Sequence, residues 1–422
     1  MGVSSCSGQA SESFYASLGD IVQKKLSNGV DAQVQRPCDS AGRMPHNLDY
    51  LGGNKKSEHP IPEFLEIGEK IDWPITTPRI FDIDPSILKH FGTEVDLDTL
   101  RPPSSPSSIS YFDTFYGLNL SRVPRKMAIF SDVWVDRYGL VAEQRQHGCR
   151  SVQLGKCPPC QRPFDTSKAG SMAQVPVVVS LATCYSGIWH YPMEDLIGLA
   201  NIDLNRYPFN IALYHVPLRS PYILGWMKLI GIPPERIIDV SVPAKVLLAP
   251  ELGACGHPLR PQLEWLIERL RPPSSSENST HPTIVFIQRT GRRRVPNNEE
   301  VKKVLSAFAA QHHMKFVVHS DQHLPPLDKQ IEMFSKATFV VGPHGAGELF
   351  VAFMQRGGYV LEVSPDQNRA HHCYSRLSYV LGHNYKQTLL TAAGIDIPVL
   401  KATMETFFED YNRHASRNNS VV

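Results

Sequence analysis

Apolar and polar positions in the second quarter of the chain alternate in patterns that predict both strands and helices. Met127–Trp134 and Gly139–Glu143 alternate like the two strands of a hairpin, which Asp136-Arg-Tyr-Gly139 closes. Val175–Ala182 is a continuous apolar run with β-branched residues, which is typical of a buried strand. The apolar residues that follow recur at helical spacing: Trp189, Met193, Leu196, Ile197 and Ala200.

Further along this half, the pattern predicts strands at Asn210–Tyr214 and around Ile237–Val242, with a helix near Tyr222–Ile230 between them. Strands that alternate with helices favour a parallel α/β sheet. A helical pattern at Leu259–Leu270 then joins this half to the next.

The second half shows the same alternation more clearly. Its predicted strands are Thr283–Gln288, Lys315–His319, Thr338–Val341 and Tyr359–Val363. Its predicted helices are Asn298–His312, Leu327–Ser335, Gly347–Phe353 and Ala370–Leu381. These β/α units predict a doubly wound domain. Ligands of such sheets bind at the carboxyl ends of the strands, so we expect the site in a cleft between the two halves.

The expected fold is therefore α/β, with two Rossmann-like doubly wound domains that face a cleft. Residues 1–110 are rich in Gly, Pro and polar residues and are predicted to form an irregular N-terminal extension. The first domain is expected over 111–258 and the second over 259–390, with a C-terminal helix and tail over 391–422. Pro/Ser-rich stretches at 101–108 and 272–282 predict exposed loops.

Composition places the chain among globular proteins, with 42% apolar and 20% charged residues. Lys plus Arg is 43 against 41 for Asp plus Glu, and the one short basic run is Arg292-Arg-Arg294. We therefore expect no nucleic-acid partner. The sequence contains no stretch of about 18 apolar residues, so no transmembrane helix is predicted. The first residues lack the apolar segment of a signal peptide.

Two features nevertheless favour a secretory compartment. Glycosylation sequons begin at Asn119, Asn278 and Asn418. The chain also has eight cysteines, including the pair Cys157-Pro-Pro-Cys160. A structural disulfide, free thiols, and a metal or redox role all remain open for this pair, although a zinc site lacks a second pair at matching spacing.

The segment Gly342-Pro-His344-Gly345-Ala-Gly347, which we call the glycine turn, is the strongest local signal. A predicted strand ends at Gly342 and a predicted helix begins near Gly347. Glycine allows close approach of a ligand to the backbone, and a helix start offers N–H groups and partial positive charge. The turn therefore predicts a cradle for a diphosphate, with a plain strand-to-helix turn as the alternative.

Two further segments fit a nucleotide site. Glu362 ends the strand after the glycine turn, where a carboxylate can accept hydrogen bonds from ribose hydroxyls. Arg289 and Arg292–Arg294 follow the first strand of the second half, and guanidinium groups bind phosphate oxygens in a fork. Such groups would stabilise a departing diphosphate. The alternatives are a solvated acid and a solvated basic run.

In the first half, Ser186-Gly-Ile-Trp189-His190-Tyr-Pro-Met-Glu194-Asp195 follows a buried strand. A sugar transfer with inversion needs a general base that takes the proton of the acceptor hydroxyl. His190 is the first choice for this base and Asp195 the second. The alternative is that His190 is structural.

Taken together, these motifs resemble glycosyltransferase family 61 over about residues 131–386. That family includes protein O-linked mannose and EGF-domain N-acetylglucosaminyltransferases and plant xylan xylosyl- and arabinosyltransferases. The resembling stretches are Trp189-His190, Arg289 with Arg292-Arg-Arg-Val-Pro-Asn297-Asn-Glu, Gln330 in its helix, Val340–Gly347, and Val360-Leu-Glu362.

The resemblance implies a GT-B fold whose second domain holds a UDP-sugar and whose first domain lies on the acceptor side. It implies inverting transfer of GlcNAc or a pentose to a hydroxyl of a protein or polysaccharide, in the Golgi or ER lumen. Neither a metal nor another cofactor is expected, because arginines and a helix terminus replace the cation. The residues implied for the diphosphate are Arg289, Arg293, His344, Gly345, Ala346 and Gly347.

Three other functions compete with this hypothesis. Asp82-Ile-Asp84 and Asp96-Leu-Asp98 have the letters of a metal-dependent GT-A motif, but they lie outside the α/β halves. An NAD(P)-dependent Rossmann oxidoreductase fits the order of elements but not the spacing of the glycines. A catalytically inactive sugar- or nucleotide-binding homologue is suggested by Glu348, which stands where the family has an aliphatic residue.

Overall fold

The computed structural model describes residues 12–27, 63–67, 79–82, 125–145, 148–153, 173–183, 187–202, 212–250, 260–271, 281–291, 294–364 and 373–419. They form two compact units, the first drawn from 1–73 and 118–270 and the second from 74–117 and 271–422. The chain is thus a mixed α/β protein with two sheets, as expected.

The strands of the described residues are β1 (Glu63–Ile67), β2 (Phe81–Asp82), β3 (Arg125–Val135), β4 (Leu140–Arg145), β5 (Gly148–Gln153), β6 (Val175–Ser180), β7 (Leu213–His215), β8 (Ile237–Ile238), β9 (Val242–Pro250), β10 (Thr283–Gln288), β11 (Lys315–Ser320), β12 (Phe339–Pro343), β13 (Tyr359–Ser364) and β14 (Asn384–Leu389).

The α-helices of the described residues are α1 (Glu12–Ser27), α2 (Pro221–Leu229), α3 (Arg260–Leu270), α4 (Asn298–Gln311), α5 (Leu327–Ser335), α6 (Cys373–Leu381) and α7 (Ile397–Asn419). Shorter helical segments are a π-helix at Tyr191–Asp195 and 3₁₀ helices at Leu196–Asn201, Pro234–Arg236 and Ala346–Phe353. No helix in the described part of the chain combines the length and the apolar character needed to cross a membrane.

The first unit is built on a sheet in the order β5-β4-β3-β9-β6-β7-β8, with β1 also paired to β3. Strands β9, β6, β7 and β8 run parallel, but β3 pairs antiparallel with both β9 and β4. The prediction of a parallel sheet is therefore correct for β9, β6, β7 and β8 but not for the strands on the other side of β9. The pair β3–β4 is the predicted hairpin, because the Asp136 carboxylate accepts hydrogen bonds from the amides of Tyr138 (2.9 Å) and Leu140 (2.8 Å) and closes the turn.

Two other predictions for this region need correction. The segment predicted as an irregular extension contributes α1 and β1 to the first unit and β2 to the second sheet. Helix α3 belongs to the first unit, whereas the predicted boundary at residue 259 placed it in the second domain. It packs against the 3₁₀ helix at Leu196–Asn201, whose apolar residues are buried.

The second sheet has the order β11-β10-β12-β13-β14-β2, and all its pairs are parallel. Numbered along the chain, β10 to β14 follow the order 2-1-3-4-5 of a flavodoxin-like doubly wound sheet. The predicted doubly wound domain is thereby confirmed. The strand order reverses between β10 and β12, so ligands of this sheet are expected at the carboxyl ends of those two strands.

Alternate residues of this sheet face two different layers. One face carries Phe339, Val341, Leu361 and Val363, which share a core with apolar residues of α4 and α7. Because side chains alternate along a strand, Gly342, Glu362 and Ser364 belong to the opposite face. The 3₁₀ helix at Ala346–Phe353 packs with α5 and α6, and α6 also packs on β14.

Candidate functional site

The structure brings Arg289 and the glycine turn together at the point where the strand order reverses. Arg289 follows β10, and the glycine turn begins at the end of the neighbouring strand β12. The Nη1 atom of Arg289 donates to the carbonyl oxygen of His344 at 3.3 Å. A Cβ atom at Gly345 would collide with this guanidinium group. Gly345 is therefore required for the close approach of Arg289 to the turn.

The other two glycines of the turn have a packing role. A Cβ atom at Gly342 would lie 2.7 Å from Cβ of Ile287, and one at Gly347 would lie 2.9 Å from its Cγ2 atom. Both glycines thus let the exit of β12 lie directly against β10. Gly345 then precedes the 3₁₀ helix that begins at Ala346. The first amides of a helix lack partners within it, so they can bind an anion.

Little of the predicted basic run can be compared with the structure. Arg292 and Arg293 lie outside the described residues, and Arg294 is exposed. Thr290 donates from its amide (3.0 Å) and its hydroxyl (2.8 Å) to the Asp321 carboxylate. Burial alone would raise the pKa of Asp321, but the hydrogen bonds and the charge of Arg289 lower it overall. Asp321 is thus ionised and anchors the segment that carries Arg289.

His344 forms a buried network with Glu362 and Tyr385. The Nδ1 atom of His344 lies 2.5 Å from Oε1 of Glu362, and the Tyr385 hydroxyl donates to Oε2 at 2.5 Å. The contact with Glu362 uses Nδ1, so Nε2 is the ring nitrogen that points away from this carboxyl group. Tyr374 packs edge-on against the imidazole at 5.0 Å. This network fixes the orientation of His344 within the glycine turn.

This placement does not support the predicted ribose role of Glu362. Glu362 has no exposed surface, and both its carboxylate oxygens already bond to protein donors. Ribose binding by Glu362 therefore stays a prediction, and the contacts of its carboxylate do not match that role.

Glu348 is also fully buried rather than exposed beside the turn. Glu348, His344 and Glu362 each have a potential ligand atom within 4.8 Å of the others. This is the one group in the described part of the chain that could hold a metal ion.

His319 lies beside the glycine turn, since a Cβ atom added at Gly347 would be 3.7 Å from Nδ1 of its ring, and it pairs with Gln330. Gln330 donates from Nε2 to the Pro325 carbonyl (2.8 Å), so its Oε1 atom accepts from Nε2 of His319 (2.9 Å). The imidazole packs edge-on against Phe334 and Phe350. Burial lowers the pKa of His319, which favours the neutral ring. The place of His319 beside the glycine turn was missed from the sequence, although the resemblance had pointed to Gln330.

In the first unit, His190 pairs with Glu194, which was not among the predicted site residues. His190 directly precedes the π-helix, and its Nδ1 atom lies 2.8 Å from Oε1 of Glu194. The imidazole is 29% exposed and the carboxylate 5%. Nδ1 donates to the carboxylate, which leaves Nε2 as the proton-accepting nitrogen of the neutral ring. The spacing of four residues on a helix was the signal that could have identified Glu194.

Asp195 has a different environment from His190. It is 1% exposed, and its carboxyl oxygens accept from the Thr183 hydroxyl at 3.2 and 3.3 Å. Burial, followed by the charge of neighbouring Glu194, raises the pKa of Asp195 well above its ordinary value. Because Asp195 is enclosed and the His190 imidazole is 29% exposed, His190 is the more accessible of the two predicted bases.

The comparison with known families matches these observations. The family described as Glycosyltransferase 61 matches residues 93–361, which include His190, Arg289 and the glycine turn. No curated protein sequence matches the chain. The matched range covers more than half of the 422 residues. The chain therefore belongs to glycosyltransferase family 61.

Proposed function

We propose that this protein is an inverting glycosyltransferase with GT-B organisation. It takes a sugar, GlcNAc or a pentose, from a UDP-sugar and transfers it to a hydroxyl of a protein or polysaccharide. Membership of the family supports sugar transfer in general. The observation that carries the finer proposal is the contact of Arg289 with the glycine turn at the strand-order reversal, because a guanidinium group beside the first amides of a helix suits a phosphate.

The second unit binds the donor in this proposal. The Arg289 guanidinium and the amides of Gly345, Ala346 and Gly347 hold the diphosphate, and the imidazole of His344 donates to it from Nε2 when that nitrogen carries a proton. Negative charge accumulates on the diphosphate as the glycosidic bond breaks, and these groups stabilise it in the transition state. The guanidinium group supplies the positive charge, so no metal is required. Arg293 keeps its predicted role as a further phosphate ligand.

The first unit supplies the base. The acceptor oxygen attacks the anomeric carbon on the face opposite the diphosphate, which inverts the configuration. Nε2 of His190 takes the proton of that hydroxyl as the new C–O bond forms. The electron pair of the old C–O bond leaves with the diphosphate. The Glu194 carboxylate orients the imidazole and stabilises its protonated form, because it accepts from Nδ1 at 2.8 Å.

We also propose a location in the Golgi or ER lumen. The support for it is the family resemblance and the sequons that begin at Asn119, Asn278 and Asn418. Expression of the protein in eukaryotic cells, followed by treatment with an endoglycosidase, tests this proposal. A shift in electrophoretic mobility supports it, and an unglycosylated protein with cytosolic distribution contradicts it.

Ligand-dependent melting tests the donor class. UDP or a UDP-sugar is expected to raise the melting temperature, whereas NAD is not, because only a ligand that binds the folded protein stabilises it. Stabilisation by NAD alone would favour the oxidoreductase instead. A panel of nucleotide sugars, followed by analysis of the product and its anomeric configuration, then identifies the sugar and tests inversion.

A pair of arginine variants tests the phosphate site. Arg289→Met removes a charge-assisted ligand, so the affinity for UDP is expected to fall about 10- to 100-fold. Arg294→Met removes an exposed arginine of the same segment and is the matched control. Isothermal titration with UDP measures both. Equal affinities of the two variants would contradict the role of Arg289.

A further inference from the structure

In the described part of the chain, Ser364 at the end of β13 and Gln387 within β14 are buried polar side chains without a hydrogen-bond partner. Ser364 is 1% exposed and Gln387 is 2% exposed. Within the described part of the chain, neither Oγ of Ser364 nor Oε1 and Nε2 of Gln387 has a partner. Buried polar groups that lack a partner within the protein are uncommon, and those that occur usually bond a water molecule or a ligand.

Both groups lie on the side of the sheet that carries the His344 network. Gln387 is the direct neighbour of Glu362 in the parallel register, so their side chains share a face. The Tyr385 hydroxyl, two residues earlier on β14, reaches Glu362 and confirms that face. Ser364 lies two residues beyond Glu362 on β13 and has the same orientation.

The glycine turn begins directly beside Ser364. The amide of His344 donates to the carbonyl of Val363 at 2.9 Å, which continues the pairing of β12 with β13. Neighbouring strands lie about 4.8 Å apart, so Ser364 and Gln387 are one and two strands from the proposed phosphate site. In doubly wound sheets the ribose of a nucleotide lies over the strand next to its phosphate turn.

The chemistry of the two side chains matches a sugar diol. A carboxamide has both a donor and an acceptor, and a hydroxyl group can act as either. Each ribose hydroxyl also donates one hydrogen bond and accepts others. Glu362, in contrast, already uses both oxygens to hold His344 and Tyr385.

We infer that Ser364 and Gln387 bind the ribose hydroxyls of the donor nucleotide, while Glu362 positions His344. The inference rests on the proposed function. Both side chains are covered by protein, so entry of the nucleotide has to uncover them. Gln387 and Ser364 lie beyond residue 361, where the family match ends.

Three ligands and three variants test this inference. Wild type, Ser364→Ala and Gln387→Leu are titrated with UDP, with 2′-deoxy-UDP and with pyrophosphate. Thr403→Val is the control, because the Thr403 hydroxyl is also buried without a partner but lies on α7, which packs on the other face of the sheet. Melting of each unliganded variant is measured in parallel.

Each substitution at the site is expected to lower the affinity for UDP about tenfold and to reduce the preference for UDP over its deoxy analogue. The affinity for pyrophosphate, which has no ribose, is expected to be unchanged. The unliganded Gln387→Leu protein is expected to melt no lower than wild type, because an unpartnered amide has been removed. A merely structural residue would instead lower the melting temperature.

Two results would overturn the inference while the proposed function stands. One is UDP binding of equal strength in wild type and both variants. The other is an equal loss of UDP and pyrophosphate affinity, which would indicate a general structural defect. Failure of wild type to bind either UDP or pyrophosphate would overturn the proposed function and this inference with it.

Discussion

Each unit contains a histidine whose Nδ1 atom bonds a glutamate, yet the two pairs have different surroundings. His190 and Glu194 lie four residues apart at the start of one helical segment, with side chains 29% and 5% exposed. His344 and Glu362 lie on neighbouring strands of a parallel sheet, with side chains 7% and 0% exposed. The same chemical pair is thus accessible in the first unit and enclosed in the second.

The difference in exposure separates two roles. A general base must reach the proton that it takes, and only the exposed imidazole can meet an acceptor at the protein surface. The enclosed pair has a second donor, Tyr385, on its carboxylate, so it holds a backbone turn in place. We therefore expect changes at the His190 pair to affect turnover and changes at the His344 pair to affect stability and donor binding.

Removal of the exposed imidazole is expected to have the largest effect on the rate of sugar transfer. His190→Ala is expected to lower the rate of sugar transfer about 10²- to 10⁴-fold, which is the usual contribution of a general base. UDP affinity is expected to be unchanged. Transfer is measured with saturating donor, with the exposed His323→Ala as the control. Turnover that is negligible in wild type and variant alike would favour an inactive binding protein.

A fall in pH is expected to destabilise both units. Burial lowers the pKa of His215 in the first unit and of His383 in the second to about 4, from an ordinary value of 6.5. The unfolded chain protonates these two rings near pH 6.5, whereas the folded chain protonates them only near pH 4. Their contribution to the free energy of unfolding is therefore complete above pH 6.5 and is lost as the pH falls toward 4. Each histidine is expected to contribute on the order of 3 kcal/mol.

Denaturant unfolding at a series of pH values measures this loss. His215→Gln and His383→Gln are expected to flatten the pH dependence of the unfolding transition in their own units. Stability that rises between pH 6.5 and 4 would contradict the prediction.

Neutralising each carboxylate sharpens the contrast between the pairs. Glu362→Gln leaves an amide donor against the donors of His344 and Tyr385 in a buried site, so the free energy of unfolding is expected to fall by about 3 kcal/mol. Glu194→Gln affects a partly exposed pair, and its expected loss of stability is under about 1 kcal/mol. The rate of transfer by Glu194→Gln is nevertheless expected to fall about tenfold, because the protonated imidazole loses its negatively charged partner. Comparable losses of stability in the two variants would contradict the distinction.

The predictability of the fold differed between the two sheets for a physical reason. Strands β10 to β13 are short runs rich in apolar and β-branched residues, and they were predicted to within two residues. Strand β14 was missed because polar Asn384 and Gln387 are buried in it. Strand β9 was missed because Pro243 lies near its start and Pro250 at its end. Strands β1 and β2 pair with strands far along the chain, and no local pattern reports such pairing.

The same limits apply to the candidate site. The glycine turn, Arg289 and His190 were predicted because each stands in a distinctive local motif next to a predicted strand or helix. The bond from Tyr385 to Glu362 could not be predicted, since it depends on β14. Burial then decides which histidine is accessible, and burial follows from the tertiary packing rather than from a motif.

The smallest expected effect comes from a methyl group placed beside the exposed imidazole. A Cβ atom at Gly187 would lie 3.0 Å from Cδ2 of His190, which is too close for an ordinary contact, so the ring must shift slightly. Gly187→Ala is expected to lower the rate of transfer about 3- to 10-fold with little change in UDP affinity, because a small displacement of a base weakens proton transfer. The exposed His323→Ala again serves as the control. An unchanged rate in Gly187→Ala, combined with a large loss in His190→Ala, would mean that the position of the imidazole is less restricted than its bond to Glu194 indicates.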